Sequence, residues 1–372
     1  MPINARELRS TITEDGILTL DLEQVVLDDP CENEVIVRIE AAPINPSDLG
    51  SLLGPADIAS LQSGEGTRLT FTIPQARMAG VRGRLGQSIV VGNEGAGTVV
   101  AAGRNAKALE GKRVGAIGGG MYADYRKLAA GDVVVLPEGA TAADGAAMFV
   151  NPLTALGFVE TMRLEGHQAI VHAAAASNLG QMLQKICLAD GIPLVNIVRS
   201  EHQVEILRAI GATHVLDSSQ AGFPDRLAEA VAATNATIAF DPIGGGTLGS
   251  DILAAMERAA IARMPAYSRY GSDTAKQLYV YGSLDPAPII LDRVAFGFRW
   301  SISGWLVFPF LQQAGRAVED RMRRRIVDEL TTTFASTYSR VIGLEEALQP
   351  DVLRAYQRKA TGEKFLIDPS RA

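Results

Sequence analysis

The sequence predicts a mixed α/β fold in two domains, a β-rich front part and a doubly wound parallel sheet in the middle, with the tail folding back onto the front. Three observations carry this. The 372 residues are enough for two domains at roughly 100–200 residues each. The first third alternates β-branched and polar residues. After Pro152 the pattern changes to strands separated by amphipathic helices. In the front part, Glu34 to Ala41 alternates, and Ile89 to Val91, Gly97 to Val100 and Val133 to Leu136 are short strands between glycines. Residues 52–88 read as a long irregular stretch, the kind that carries function. Beyond Pro152 the expected order is helix Thr154 to Met162, strand Ala169 to Ala173, helix Leu179 to Ala189 and strand Leu194 to Val198. Helix Gln203 to Ile210, strand His214 to Leu216, helix Arg226 to Ala233 and strand Thr237 to Phe240 follow. Strands Gln277 to Tyr281 and Trp300 to Val307 complete six, and the tail adds helix Glu345 to Lys359 and strand Lys364 to Ile367. The domains are therefore drawn as residues 1–150 with 311–372, and residues 151–310.

Composition narrows the function classes. The formal charge is −7, with 47% apolar and 21% charged residues. An acidic surface argues against nucleic acid or anionic membranes as partners, since phosphate binding needs positive charge. The one dense basic run, Arg321 to Arg325, is flanked by Glu319, Asp320, Asp328 and Glu329 and reads as a solvated helix face. Two cysteines, Cys31 and Cys187, cannot build a disulfide framework or a thiolate zinc site. Met1 to Ser10 has no apolar signal core, and Ile302 to Leu311 is too short to span a bilayer. A cytoplasmic protein acting on a small molecule is expected.

The chemistry-bearing motif is the turn after the first strand of the middle domain. Ala174-x-x-Ser177-x-x-Gly180 places small residues where a backbone must approach a pyrophosphate, and Asn178, Leu179 and Gly180 open a helix whose free N–H groups attract anions. A buried alanine-rich strand end would have a similar composition; the strand before, the helix after and a second strand ending about 20 residues on favour a nucleotide site. That second strand ends in Arg199-Ser200, where an NAD enzyme would carry Asp or Glu. A forked cation there suits a 2′-phosphate, the alternative being a plain surface arginine at a strand end, so NADPH is expected over NADH.

With these residues in view, the chain resembles the medium-chain dehydrogenase/reductase superfamily, and within it the zinc-independent quinone oxidoreductases and mitochondrial-type 2-enoyl thioester reductases. The matching segments are Ala42-Pro43-Ile44-Asn45-Pro46-Ser47-Asp48, Gly92-Asn93-Glu94-Gly95-Ala96-Gly97 and Gly120-Met121-Tyr122-Ala123-Asp124-Tyr125. Asn151-Pro152-Leu153-Thr154-Ala155, the nucleotide turn, Phe240-Asp241-Pro242-Ile243-Gly244-Gly245 and Thr361-Gly362-Glu363-Lys364 continue the match. The resemblance implies a GroES-like catalytic domain joined to a Rossmann domain, an active site in the cleft between them, and a homodimer formed through the last Rossmann strand. It implies a nicotinamide contact at Thr154 and cofactor contacts at Ser200, Tyr281, Gly282 and Lys364. It also implies no metal: the positions of the zinc ligands in zinc-dependent relatives correspond to Asn45, Asn93 and about Val150, none of them a substitute for thiolate or imidazole.

Asn45 matches the asparagine near the nicotinamide in quinone reductases. Its amide either holds the carboxamide or a substrate oxygen, or simply shapes an Asn-Pro turn. Tyr122 either donates a proton or lines a pocket. Enoyl thioester reductases carry a tyrosine shortly after the Asn-Pro-Ser-Asp motif; here Gly54-Pro55-Ala56-Asp57 stands there. The basic segment Gly80 to Gly86 reads as a loop near the cleft entrance, suited to a phosphorylated substrate such as a CoA ester. The leading expectation is reduction of a quinone or similar conjugated carbonyl. Enoyl-CoA reduction and non-catalytic NADPH binding are the alternatives.

Overall fold

Alternate buried residues, Leu8, Ser10 and Ile12 on one strand and Leu18 and Leu20 on the other, build the first hairpin. In the computed structural model, which describes residues 2–371, strands Ile3–Ile12 and Ile17–Leu27 pair antiparallel. Leu8, Ile12, Leu18 and Leu20 are buried on their inner face. The chain forms two compact units, one of residues up to Val150 together with those from Val327 on, the other Asn151–Ile326.

The first unit holds two antiparallel-rich sheets. One runs in the order Asp57–Ser63, Leu69–Thr72, Ile17–Leu27, Ile3–Ile12, Ser88–Val90. The other centres on Glu34–Pro43, flanked by Glu94–Ala102 and by the C-terminal strand Phe365–Ile367. Val35, Val37, Val99 and Val114 share one core with Leu353 and Ile367 from the far end of the chain. The stretch 52–88 is more regular than expected. Leu69 and Phe71 alternate into the core and pair with Leu18 and Leu20, and a 3₁₀ run, Gln75–Arg84, follows. Four-residue strands between glycines fall below the length at which periodicity can be read. Within the Gly80 to Gly86 segment, the Arg84 guanidinium is tied down, donating to the Ser10 hydroxyl and carbonyl at 2.6 and 3.1 Å.

The second unit is a six-stranded, all-parallel sheet in the order His214–Asp217, Leu194–Val198, Ile170–Ala173, Ile238–Asp241, Lys276–Val280, Trp300–Gly304. Helices Asn178–Asp190, Glu201–Ala209, Phe223–Thr234 and Leu248–Ile261 make the crossovers. Its inner strands are nearly continuous apolar runs because both faces are covered. The last strand ends at Gly304 rather than Val307, since Trp305 turns inward, its indole donating to the Thr161 hydroxyl at 3.0 Å, and helix Val307–Ala314 begins. The expected tail helix is a 3₁₀ turn, Glu346–Leu348, and then helix Pro350–Gln357, because Pro350 starts a helix more readily than it continues one. The chain returns to the first unit at Val327 rather than at 311. Helix Arg316–Asp328 is held in the second unit by Arg321–Glu160 at 2.8 Å and Arg325–Asp190 at 2.9 Å, so its basic run is anchored by ion pairs rather than simply solvated. Among the described residues no helix is long and apolar enough to cross a membrane.

Candidate functional site

In the second unit the turn after strand Ile170–Ala173 is built by backbone. Ala174 has φ +50°, a conformation that costs a residue with a Cβ roughly 1–2 kcal/mol. The next amide, Ala175, donates to the Ile197 carbonyl at 3.1 Å, locking the turn to the neighbouring strand. Ser177 caps helix Asn178–Asp190, its hydroxyl accepting from the Gly180 amide at 3.1 Å. At Gly180 a Cβ would lie 2.1 Å from the Ala175 carbonyl oxygen, so only glycine lets the helix come this close. Asn178 and Leu179 form the first turn, where helix amides and dipole favour an anion.

Arg199 follows the adjacent strand, two residues beyond the Ile197 that pairs with Ala173. Its side chain is exposed, while its amide donates to Gln203 Oε1 at 3.0 Å. Ser200 is the N-cap residue of helix Glu201–Ala209 and makes no side-chain cap. Tyr281 and Gly282 follow strand Lys276–Val280, at the same carboxyl edge of the sheet as the turn. The Tyr281 hydroxyl lies 2.7 Å from His172 Nε2, and the rings stack. Burial pushes the His172 imidazole down to about 3, so it is neutral at ordinary pH. Gly282 packs on the Pro242 carbonyl, which a Cβ would meet at 2.6 Å. Thr154 is buried in the second turn of helix Val150–Leu164.

In the first unit the predicted residue Asn45 belongs to a buried polar cluster. Its Nδ2 donates to Glu94 Oε1 at 2.8 Å, and Glu94 Oε2 accepts the amides of Phe149 and Val150 at 2.8 and 2.9 Å. Asp48 accepts the amides of Asn45 and Asn93 at 2.7 and 2.8 Å. Lys364 brings its Nζ into the interior with no hydrogen-bond partner among the described residues. The Nζ sits 5.7 Å from the centroid of the Tyr338 ring. Burial raises the Asp48 carboxyl to about 7 against the pull of its two amides. Burial also raises Glu94, opposed by the Lys364 ammonium, and lowers Lys364 to about 8, opposed by Glu94 and Asp48.

Tyr122 is in the core of this unit, 1% exposed, with its hydroxyl donating to the Pro43 carbonyl at 3.1 Å. Burial and the Asp48 charge push its phenol well above the usual range. Asn93 donates from its side chain to the Ser47 hydroxyl at 3.1 Å. Among the described residues no group of three His, Cys, Asp or Glu side chains is placed to hold a metal. Sequence reasoning quoted the segments holding Asp48 and Glu94 without naming either as a site residue. The available signal was a carboxylate set among small and apolar residues, which is a buried charge needing partners.

Residues 31–138 match the alcohol dehydrogenase GroES-like domain. The mitochondrial enoyl-[acyl-carrier-protein] reductase of Xenopus tropicalis is 28% identical over 237 residues, 60% of each chain, so the chain spans less than two thirds of that curated relative. A solved putative NADPH:quinone reductase from Mesorhizobium loti superposes with a TM-score of 0.73 at 25% identity, covering 99% of both chains. The solved complex of Etr1p with NADP and crotonyl-CoA superposes with a TM-score of 0.69 at 19% identity, over 98% of this chain and 100% of that one.

Proposed function

With the medium-chain dehydrogenase/reductase fold as premise, we propose that this chain is an NADPH-dependent oxidoreductase that works without zinc and reduces a quinone or related conjugated carbonyl. The observation that carries the reading is the Ala174–Gly180 turn with the exposed Arg199 after the adjacent strand. The cofactor fits this chain: the space that a Cβ at Gly180 would fill is what brings the helix amides up to the turn. When bound there, NADPH supplies a hydride. The turn amides and helix dipole would hold its pyrophosphate, and Arg199 would supply the charge for its 2′-phosphate. Tyr281 and Gly282 line the same sheet edge, with Tyr281 fixed by neutral His172. Glu94 sets the orientation of the Asn45 amide by engaging its Nδ2. Tyr122, as a proton donor, would first have to give up its bond to Pro43, so we assign it to shaping the cluster around Asp48.

A quinone needs no dedicated acid, since its reduced oxygen takes a proton from solvent. An enoyl thioester needs its carbonyl polarised and a proton for the adjacent carbon. The similarity to enoyl reductases favours this second reading; the lack of a tyrosine in Gly54–Asp57 weakens it. NADPH consumption by the chelator-treated protein, with 1,4-benzoquinone against a short-chain 2-enoyl-CoA, separates the two. Turnover with the quinone alone supports the proposal, turnover with the thioester alone moves the chain to the second reading, and tight NADPH binding with no turnover makes it a non-catalytic binder. We also propose a homodimer through strand Trp300–Gly304. The strand has a sheet neighbour on one side only, and Phe298, Leu306 and Phe308 beside it are exposed at 76%, 65% and 59%. Sedimentation giving a monomer at micromolar concentration would remove this part.

A further inference from the structure

The first unit contains a buried cation whose surroundings do not serve it. Lys364 Nζ is enclosed yet makes no hydrogen bond among the described residues. Its two electrostatic partners are Glu94 and Asp48. Both carboxylates are surrounded by donors: Glu94 accepts from Asn45 Nδ2 and the Phe149 and Val150 amides, and Asp48 from the Asn45 and Asn93 amides. These donors oppose the burial that raises both carboxyls, and the one cation facing them has no hydrogen bond among the described residues to retain its proton.

We propose that Lys364 is a positioning residue whose ammonium, acting through Glu94, keeps the Asn45 amide in its set orientation. The proposal rests on the reading of Asn45 as part of the active site. When Lys364 loses its proton, Glu94 and Asp48 are left as buried anions with no cation between them. The cluster then relaxes by admitting water to Glu94. Water at Oε1 competes with Asn45 Nδ2 and weakens the bond that sets the amide's orientation. Asp48, raised to about 7, ionises before the Lys364 midpoint is reached, and the phenols of Tyr122, Tyr338 and Tyr356 are all held above their usual range by burial. The relay therefore switches in one direction: Asn45 is ordered below the Lys364 midpoint and loosened above it.

The test is the side-chain ¹⁵N–¹H signal of Asn45 in asparagine-labelled full-length protein, followed with pH in the wild type and in Lys364→Arg and Lys364→Met. In the wild type the signal is expected to shift with a midpoint near 8. That shift should be absent in Lys364→Arg, which stays charged, and Lys364→Met should show the high-pH signal at all pH values. Where turnover is found, kcat/KM for wild type should fall about tenfold above that midpoint, and Lys364→Arg should restore a flat profile. An Asn45 signal that titrates identically in wild type and Lys364→Arg overturns the proposal. The spectroscopic arm needs no substrate, so failure of the proposed function and failure of the relay are distinguishable. If Lys364→Met does not fold, Lys364→Arg alone still decides.

Discussion

The Ala174–Gly180 turn of the second unit and the buried cluster of the first are held by different forces. The turn is seven consecutive residues, Ala174 to Gly180, whose demand is for the absence of side-chain volume; its bonds include backbone bonds, one capping hydroxyl and the Gln181 side-chain amide donating to the Ala176 carbonyl at 2.9 Å. The cluster draws Asn45, Asp48, Glu94 and Lys364 from distant segments and depends on charge. A region built on volume tolerates changes of polarity but not of size. A region built on buried charge has the opposite tolerance.

Substitutions sharpen or break this contrast, beginning with the largest effect. Glu94→Ala leaves three donors without their acceptor and a buried ammonium without one of its counter-charges, and should cost about 4 kcal/mol. An unchanged denaturant midpoint would mean that water already serves the cluster. Gly180→Ala, an uncharged change of one methyl, should cost about 2–3 kcal/mol and abolish NADPH binding, since the methyl meets backbone at the turn. Calorimetric titration showing wild-type NADPH affinity would remove the close approach as the basis of the site. Arg199→Ala should weaken NADPH roughly tenfold, the scale of a charged hydrogen bond, and leave NADH affinity and stability alone; equal loss for both cofactors would count against the 2′-phosphate contact. The smallest effect expected is in the turn itself. Ala174→Gly relieves a left-handed alanine and should stabilise by about 1 kcal/mol, read as a higher denaturant midpoint.

The pH dependence of stability probes the second unit separately. The buried His172 stays neutral down to about 3 in the fold, whereas in the unfolded chain it takes up a proton at the ordinary histidine value. Between these two values the unfolded state binds more protons, so stability rises with pH at up to about 1.4 kcal/mol per unit from this group. The gain is complete above the unfolded histidine value and is lost progressively as pH falls towards 3. His172→Phe should flatten that slope, and an unchanged slope in acid denaturation would assign it to the carboxylates.

How much was legible follows from where the information sits along the chain. The βα alternation after Pro152 predicted the six strands and their crossovers to within a few residues, because parallel strands buried on both faces read as apolar runs. The turn was legible for a related reason: Ala174, Ser177 and Gly180 are neighbours in sequence and need only be small or able to cap. The strands inside 52–88 were not legible: Leu69–Thr72 has only four residues, and Asp57–Ser63, though seven long, buries none of its residues fully. Asp48 and Glu94 stand among small and apolar residues in the sequence, but that they form one cluster with Lys364 appears only when strands Glu34–Pro43, Glu94–Ala102 and Phe365–Ile367 are laid side by side. The return at Val327 was hidden too, since the ion pairs of Arg321 and Arg325 with Glu160 and Asp190 span more than a hundred residues.

The sequence by itself determined the fold class, the alternation of strands and helices after Pro152, the small-residue turn and the arginine after the next strand, all of them set by local periodicity and small-residue spacing. Tertiary structure alone decided which charges are buried, that Tyr122 is tied to Pro43, and that Asn45 is oriented by Glu94. Those properties depend on desolvation and on partners far away in the chain, and neither is a function of local sequence.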